Sequence, residues 1–168
     1  SDRDKYVYKL NTIFPHRFFV ENANNFVLQT RIASAGINLI LAKVFRIMPM
    51  LTNFNSTLQD ASGNLRPDFD GKLLRGILNN PAKQKLFIQQ VVDTLNYYHL
   101  QGINIDFENL VEPTNEPLTR FQQKLYNSLH AQNMIVTMAV AVKNDDYDYM
   151  NLSYCTAFLI WMAYYKFS

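Results

Sequence analysis

Residues 101–110 alternate between polar and apolar side chains, reading Gln-Gly-Ile-Asn-Ile-Asp-Phe-Glu-Asn-Leu. A β-strand projects successive side chains to opposite faces. One face is therefore apolar and the other carries an amide and two carboxylates, the two sets being Ile103, Ile105, Phe107 and Asn104, Asp106, Glu108. Helical patterns flank this strand, which predicts a parallel sheet covered by helices, whose strands are normally apolar on both faces. Three aligned polar groups on a covered face cost free energy, and proteins tolerate that cost chiefly at functional sites.

Strand and helix patterns alternate along the chain, which predicts an α/β fold with either a parallel barrel or a doubly wound sheet. The predicted strands are Thr12–Val20, Phe45–Leu51, Gly102–Glu108, Met134–Val142 and Ala157–Tyr164. The predicted helices are Ile32–Lys43, Asp70–Leu78, one that starts at Asn80-Pro81 and ends near Tyr98, and one from an N-cap at Thr114 to His130. Residues 52–67 and the acidic stretch 145–148 are predicted to be loops. No glycine-rich phosphate loop follows any strand, which disfavours a doubly wound nucleotide-binding domain.

Composition excludes several classes of function. A net charge of +2 without a basic cluster gives no reason to expect a nucleic-acid partner. The longest apolar run, 157–163, is far shorter than the roughly 20 residues of a membrane span, so no span is predicted in this segment. The single cysteine, Cys155, rules out an internal disulfide and is expected to be buried.

No metal or other cofactor is predicted. The three histidines are scattered and lack the spacing of metal ligands. The cluster Asp145-Asp146-Tyr147-Asp148 lacks the spacing and the glycine of an EF-hand loop, which favours a solvated loop.

The motif Gly102 to Glu108 resembles the fourth-strand signature of glycoside hydrolase family 18, the chitinase-like (β/α)8 barrels. That signature is Asp-Gly-x-Asp-x-Asp-x-Glu, and the Gly-Ile-Asn-Ile-Asp-Phe-Glu variant resembles bacterial branches of the family. Phe158 to Tyr165 is similar to the sixth-strand motif Met-x-Tyr-Asp, with Met162 and Tyr164 in agreement. Met138 falls where the fifth-strand Met is expected. Departures from the family pattern are Gln101 and Asn104 in place of upstream Asp residues, and Tyr165 in place of the sixth-strand Asp.

The resemblance implies a glycosidase that cleaves β-linked N-acetylglucosamine glycans of chitin, peptidoglycan or exopolysaccharide type. Glu108 would be the acid and then the base, and the substrate's own acetamide would be the nucleophile. Asp106 would accept a hydrogen bond from the acetamide N–H and raise the pKa of Glu108. Tyr164 would donate to the acetamide oxygen, and Asn104 would support Asp106.

Further residues are weaker candidates for the sugar site. Met162 belongs to the sixth-strand motif, and Asn53, with Asn55, follows a strand at the same rim and could bind sugar hydroxyls. Loop asparagines more often serve turns, which leaves a structural reading open. Trp161 has the opposite strand parity to Met162 and Tyr164, so it is expected in the core facing the outer helices.

Residues 1–168 are interpreted as one incomplete barrel domain of TIM type holding about strands two to six. A full barrel typically needs about 250 residues. The open edges of such a segment would invite pairing with another chain, which predicts that the segment alone is either oligomeric or only marginally stable. Fusion to a polysaccharide deacetylase or glycosyltransferase domain and an extracytoplasmic or secreted location are also expected. The rival hypothesis is a non-catalytic carbohydrate-binding or scaffold domain that keeps the same fold, favoured by Tyr165 and Gln101.

Overall fold

Strands and helices alternate along the chain in the computed structural model, which describes residues 12–13, 16–20, 28–30, 46–110, 115–142 and 144–162. The strands are β1 (Thr12–Ile13), β2 (His16–Val20), β3 (Leu28–Thr30), β4 (Arg46–Ile47), β5 (Met50–Thr52), β6 (Phe54–Asn55), β7 (Asp68–Phe69), β8 (Gly102–Asp106), β9 (Ile135–Ala141) and β10 (Phe158–Met162). The helices are α1 (Gly71–Leu78), α2 (Pro81–Tyr97), α3 (Glu116–His130) and α4 (Tyr149–Tyr154). The helix predicted over 32–43 lies outside the described residues.

A six-stranded sheet organises the molecule, with the strand order β10-β9-β8-β5-β2-β3. Neighbours from β2 to β10 pair in parallel, and β3 alone is antiparallel to its partner. The five parallel strands coincide with the five predicted from the sequence, so the predicted α/β class is confirmed. The strand predicted over 45–51 is divided into β4 and β5 on either side of Met48-Pro49. Proline has no N–H for a ladder hydrogen bond, although its carbonyl still accepts from Asn104 N–H at 2.9 Å.

Helix starts follow the capping residues that the sequence provides. Asp70 caps α1 by accepting from Leu73 N–H at 2.8 Å. Asn80 caps α2 by accepting from Lys83 N–H at 3.1 Å, and Pro81 occupies the first turn, as predicted. The cap of α3 is Asn115, whereas the predicted cap, Thr114, lies outside the described residues.

One of the two predicted loops contains regular structure, and the other is a loop that leads into a short helix. The stretch 52–67 was predicted to be a loop, but β6 within it forms an antiparallel hairpin with β7. The aromatic rings of Phe54 and Phe69 meet edge to face with centroids 5.5 Å apart, and this cross-strand pair supports the hairpin. The acidic stretch 145–148 leads into the short helix α4, because Asp148 accepts from Asn151 N–H at 3.1 Å and caps it.

The hydrophobic core lies between the sheet and its helices. Ile103, Ile105 and Phe107 are fully buried on the helix-facing side of β8 and its extension. Phe107 packs against Phe87 of α2 and Phe121 of α3, with ring centroids 6.5 and 5.9 Å away. The apolar half of the alternating motif is therefore core.

Cys155 and Trp161 differ in their burial. Cys155 is fully buried, as predicted. Trp161 stacks on Tyr149 of α4 with centroids 5.4 Å apart, so its outward direction is confirmed. The prediction that it is a core residue is wrong, because 56% of its surface is exposed. Within the described part of the chain, no helix is long and apolar enough to cross a membrane.

Close packing of two neighbouring strands explains why the strand motif has a glycine at position 102. A Cβ atom at this position would overlap the backbone carbonyl of Ile135 in the neighbouring strand β9. Only a residue without a side chain lets β8 and β9 approach at the start of their ladder, where Gly102 pairs with Ile135.

Candidate active site at the carboxyl end of strand β8

The polar face of β8 is continued by polar residues on its neighbours. The register places Asn104 beside Thr137 of β9, and Asp106 beside Thr52 of β5. Asn104 and Thr137 are bonded, with the hydroxyl donating to Asn104 Oδ1 at 2.8 Å. All four side chains are at least 95% buried. A buried polar layer of this kind is stable only when its groups are hydrogen-bonded, as the Asn104–Thr137 pair is.

Strand β8 ends at Asp106, and Glu108 lies two residues beyond it, in a stretch that we call the rim segment, Phe107–Leu110. The first residue of the rim segment, Phe107, is held by the side chain of a tyrosine. The hydroxyl of the buried Tyr147 donates to the carbonyl of Phe107 at 2.7 Å. No sequence pattern indicates this contact, because Tyr147 lies among three aspartates in a stretch that is typical of a solvated loop.

Glu108 itself is bound through its main chain. The side-chain amide of Asn53 donates to the Glu108 carbonyl at 2.9 Å and accepts from the Glu108 N–H at 3.0 Å. Asn53 is fully buried. Asn53 lies at the predicted rim, directly after β5. Both its side-chain NH2 and its side-chain carbonyl oxygen are bonded to Glu108.

The end of the rim segment is held by two further side chains. Asn109 Nδ2 donates to Asp68 of β7 at 3.0 Å, and Arg75 of α1 donates to the Leu110 carbonyl at 2.9 Å. Asn109 has a φ of 58°, in the left-handed region. Every residue of the rim segment is thus bonded to a residue far away in sequence, which fixes the backbone that carries Glu108.

The carboxyl group of Glu108 is protonated at unusually high pH. Burial first, and then the negative charges of Asp106 and Asp68, together raise its pKa from 4.5 to about 7. Its Oε1 atom is shielded from solvent and has no hydrogen-bond partner among the described residues. A carboxyl that keeps its proton near neutrality can act as a general acid.

The pKa of Tyr147 is shifted as well. Burial, then the carboxylates of Glu108 and Asp106, raise the pKa of its phenol well above the usual range. Tyr147 therefore stays neutral and remains a hydrogen-bond donor at any physiological pH.

The structure brings together three of the predicted site residues, Asn104, Asp106 and Glu108, on one face. Met162 shares the sheet face of Asn104 by strand register and is partly buried. Met138 pairs with Ile105 and lies in the helix-facing layer, so it is core, not part of this face. Tyr164 and Tyr165 lie outside the described residues. Within the described residues no group of three or more His, Cys, Asp or Glu could hold a metal ion.

Comparison with known proteins identifies a family and a fold. Residues 68–167 match the model of the family described as glycosyl hydrolases family 18. Two Bacillus subtilis proteins whose names give them as glycosylases, YdhD and YvbX, are each 27% identical to the chain, over 126 and 131 residues. These alignments cover 71% and 73% of this chain but only 28% and 36% of the relatives.

Solved structures show the same arrangement. A chitinase from Chromobacterium violaceum matches with a TM-score of 0.76 at 18% identity, covering 97% of this chain and 51% of that one. The spore cortex-lytic enzyme SleL from Bacillus cereus matches with a TM-score of 0.76 at 19% identity, covering 98% and 37%. The chain spans about half or less of these proteins. The predicted fold, a TIM-barrel type present as a partial barrel, is confirmed.

Proposed function

Because the chain belongs to glycosyl hydrolases family 18, we propose that it is a glycosidase acting on glycans that contain β-linked N-acetylglucosamine. The family implies a carbohydrate substrate. The observation that carries the proposal is the state of Glu108, whose pKa is raised to about 7 at the end of β8, beside Asp106. Hydrolysis of a glycoside near neutral pH needs a carboxylic acid that still holds its proton in that range.

The reaction proceeds in two steps on this arrangement. Glu108 gives its proton to the glycosidic oxygen, and the leaving sugar departs as an alcohol while the acetamide oxygen of the substrate bonds to the anomeric carbon. Asp106 accepts a hydrogen bond from the acetamide N–H, which makes that oxygen more nucleophilic. The Glu108 carboxylate then takes a proton from water, whose oxygen attacks the anomeric carbon, opens the cyclised intermediate and retains the configuration.

Asn104, Met162 and Tyr164 complete the proposed sugar site. Asn104 supports the polar face from below, Met162 lies on the same face, and Tyr164 donates to the acetamide oxygen. A second candidate function, non-catalytic carbohydrate binding, is favoured by one feature, the tyrosine at position 165 where the motif of the family has an acid.

Glu108→Gln tests the proposal, because it keeps the shape of the side chain and removes the acid. Turnover of an aryl N-acetylglucosaminide should fall by about 10²–10⁴-fold. The matched control is Glu116→Gln, a change of the same kind at a position whose side chain is 74% exposed. Equal turnover by the wild-type protein and the Glu108→Gln variant would remove Glu108 from the mechanism.

Thiazoline analogues of the cyclised intermediate separate the enzyme from the binding domain. An enzyme that uses the acetamide as its nucleophile should bind a thiazoline far more tightly than N-acetylglucosamine, because it is complementary to the species along the reaction path. A binding domain should show similar affinity for the two ligands in isothermal titration calorimetry.

We also propose that the protein works outside the cytoplasm, since chitin, peptidoglycan and exopolysaccharide are extracytoplasmic polymers. Fractionation of the source cells with an antibody against the chain tests the location. A neighbouring deacetylase or glycosyltransferase domain stays a prediction that the flanking gene sequence would decide.

A further inference from the structure

We infer that Asn53 is a positioning residue for Glu108, acting through the main chain of Glu108 instead of binding sugar. The inference rests on the proposed function, because it assigns Glu108 the role of the acid. The relevant feature is the point where the pairing between β5 and β8 ends. The paired residues of β5 and β8 are Met50 with Asn104, Leu51 with Ile105, and Thr52 with Asp106, and the pairing stops there.

The Asn53 side chain continues this pairing beyond the last strand residues. A primary amide carries a C=O acceptor and N–H donors in one plane, as a peptide group does. Asn53 uses one of each on the carbonyl and the N–H of Glu108, at 2.9 and 3.0 Å. Glu108 is therefore bound on both its main-chain groups by a residue 55 positions earlier in the chain.

Asn53 is itself held in place. Its main-chain carbonyl accepts from the N–H of Asp70, the N-cap of α1, at 2.8 Å. The next residue, Phe54, donates its N–H to the hydroxyl of Thr52 at 3.1 Å. A fully buried side chain on a fixed backbone has little freedom, so it can transmit the position of β5 and α1 to Glu108.

Asparagine is the residue type that this contact demands. Alanine at position 53 would leave the N–H and the carbonyl of Glu108 without their partner. Aspartate would keep the acceptor for the N–H but, when ionised, would turn an oxygen towards the Glu108 carbonyl. These differences make position 53 a controlled probe of Glu108.

Three ionisable groups act on the Glu108 carboxyl or lie beside it. Asp106 is the last residue of β8, two positions before Glu108, Asp68 lies on β7, and the Tyr147 phenol lies on the segment before α4. Neither Asp68 nor Asp106 is altered by a change at position 53. A loosened rim segment admits water to the Glu108 carboxyl, which weakens the burial that raises its pKa.

The decisive experiment combines kinetics with a direct titration of Glu108. In Asn53→Ala, kcat for an aryl N-acetylglucosaminide should fall by about 10²-fold, as expected for a misplaced catalytic group, with KM little changed. The alkaline limb of the pH profile should move to lower pH. Asn80→Ala is the control, because it removes the N-cap of α2 and should lower the melting temperature without moving the pH profile.

Asn53→Asp is the second variant, and it retains the side-chain volume. Ionised, the new carboxylate repels the charge on Glu108; protonated, it restores the missing donor. In neither state should the alkaline limb move to lower pH, so Ala and Asp at position 53 are expected to differ in the direction of the shift. A rise in KM with an unchanged pH profile would instead make Asn53 a sugar ligand and overturn the inference.

A carboxyl 13C NMR titration separates failure of this inference from failure of the proposed function. The midpoint for Glu108, expected at about 7 in the wild-type protein, should fall in Asn53→Ala even when no substrate is turned over. An unchanged midpoint in a folded Asn53→Ala variant would refute the positioning role. A shifted midpoint in a protein without glycosidase activity would refute the proposed function alone.

Discussion

Burial does more to the chemistry of Glu108 than either of its charged neighbours. The loss of hydration is the largest cause of its raised pKa, ahead of the charges on Asp106 and Asp68. Asp106 is only 5% exposed, so little water screens its charge from Glu108. The single residue Glu108 therefore acquires acid character from the position of the rim segment, and residues that fix this segment matter as much as the carboxylates.

Tyr147→Phe should reveal the contribution of one such residue. The change leaves the ring in place but removes the donor to the Phe107 carbonyl, next to Glu108. A buried carbonyl without its partner costs about 1–3 kcal/mol of unfolding free energy. Urea denaturation should show this loss, and turnover should fall with it.

The control for this prediction is Tyr154→Phe, because Tyr154 is 72% exposed. Its unfolding free energy should stay within about 0.5 kcal/mol of the wild-type value. If Tyr147→Phe were equally neutral, the hydrogen bond to Phe107 would not hold the rim segment.

Helix α1 and the rim segment are packed backbone to backbone. A Cβ atom on Gly71, the first residue of α1, would overlap the carbonyl of Asn109. Arg75 of the same helix binds the carbonyl of Leu110. The helix therefore serves as a rigid support for the stretch that follows β8, and its glycine is needed for that close approach.

Gly71→Ala should disturb the site from outside it. The methyl group has to displace the backbone at Asn109, and overpacking of this kind typically costs about 1–3 kcal/mol. Because Asn109 follows Glu108, turnover should fall as well. Thermal melting and steady-state kinetics on the same preparation would measure both effects.

The same helix contains a second glycine whose replacement should change the unfolding free energy in the opposite direction. Gly76 is an exposed residue in the interior of α1. Gly76→Ala should raise the unfolding free energy by about 0.5–1 kcal/mol, because alanine is the better helix former. A Gly71→Ala variant as stable as Gly76→Ala would show that α1 does not press on the rim segment.

In the molecule as a whole, Glu108 lies at a position where ionisation of its carboxyl group opposes folding. A single apolar core joins the helix-facing side of the sheet to α1, α2 and α3. The polar face of β8 carries buried groups whose charges repel one another. Repelling charges of this kind lower the stability of the folded state when they are ionised. Self-association of the isolated chain through its sheet edges also involves the whole molecule, and it stays a prediction.

Stability should therefore depend on the ionisation of Glu108. Its pKa in the folded protein is about 7 and the reference value is 4.5. Between these values the folded state binds the proton more tightly than the unfolded state does, so the unfolding free energy falls as the pH rises. The contribution is fully present below pH 4.5 and is lost above pH 7.

Glu108→Gln should remove this dependence. The variant is expected to match the wild-type protein near pH 4.5 and to exceed it by about 2 kcal/mol at pH 8.5, a figure reduced from the full linkage because the carboxyl is only partly buried. Urea denaturation at the two pH values would measure it, with Glu116→Gln as the control. Parallel pH curves for the wild-type and Glu108→Gln proteins would contradict a raised pKa.

Local patterns in the sequence determined the elements and the polar face. Alternation over 101–110 places Asn104 and Asp106 together because strand geometry repeats every two residues. Asp70 and Asn80 announce the starts of α1 and α2, because a capping side chain bonds backbone groups only two or three residues away. The strand motif also predicted the family, which the comparison confirmed.

Only the tertiary structure decided how the acid is held and tuned. Asn53 and Glu108 are 55 residues apart, and Tyr147 and Phe107 are 40 apart. No local pattern encodes which loop residue meets which carbonyl, because that depends on strand order and register. Burial of the Glu108 carboxyl, exposure of Trp161 and the β6–β7 hairpin likewise depend on what packs against them. The sequence thus determined which chemical groups share a face, whereas the fold determined their hydration, and hydration sets the strength of the acid.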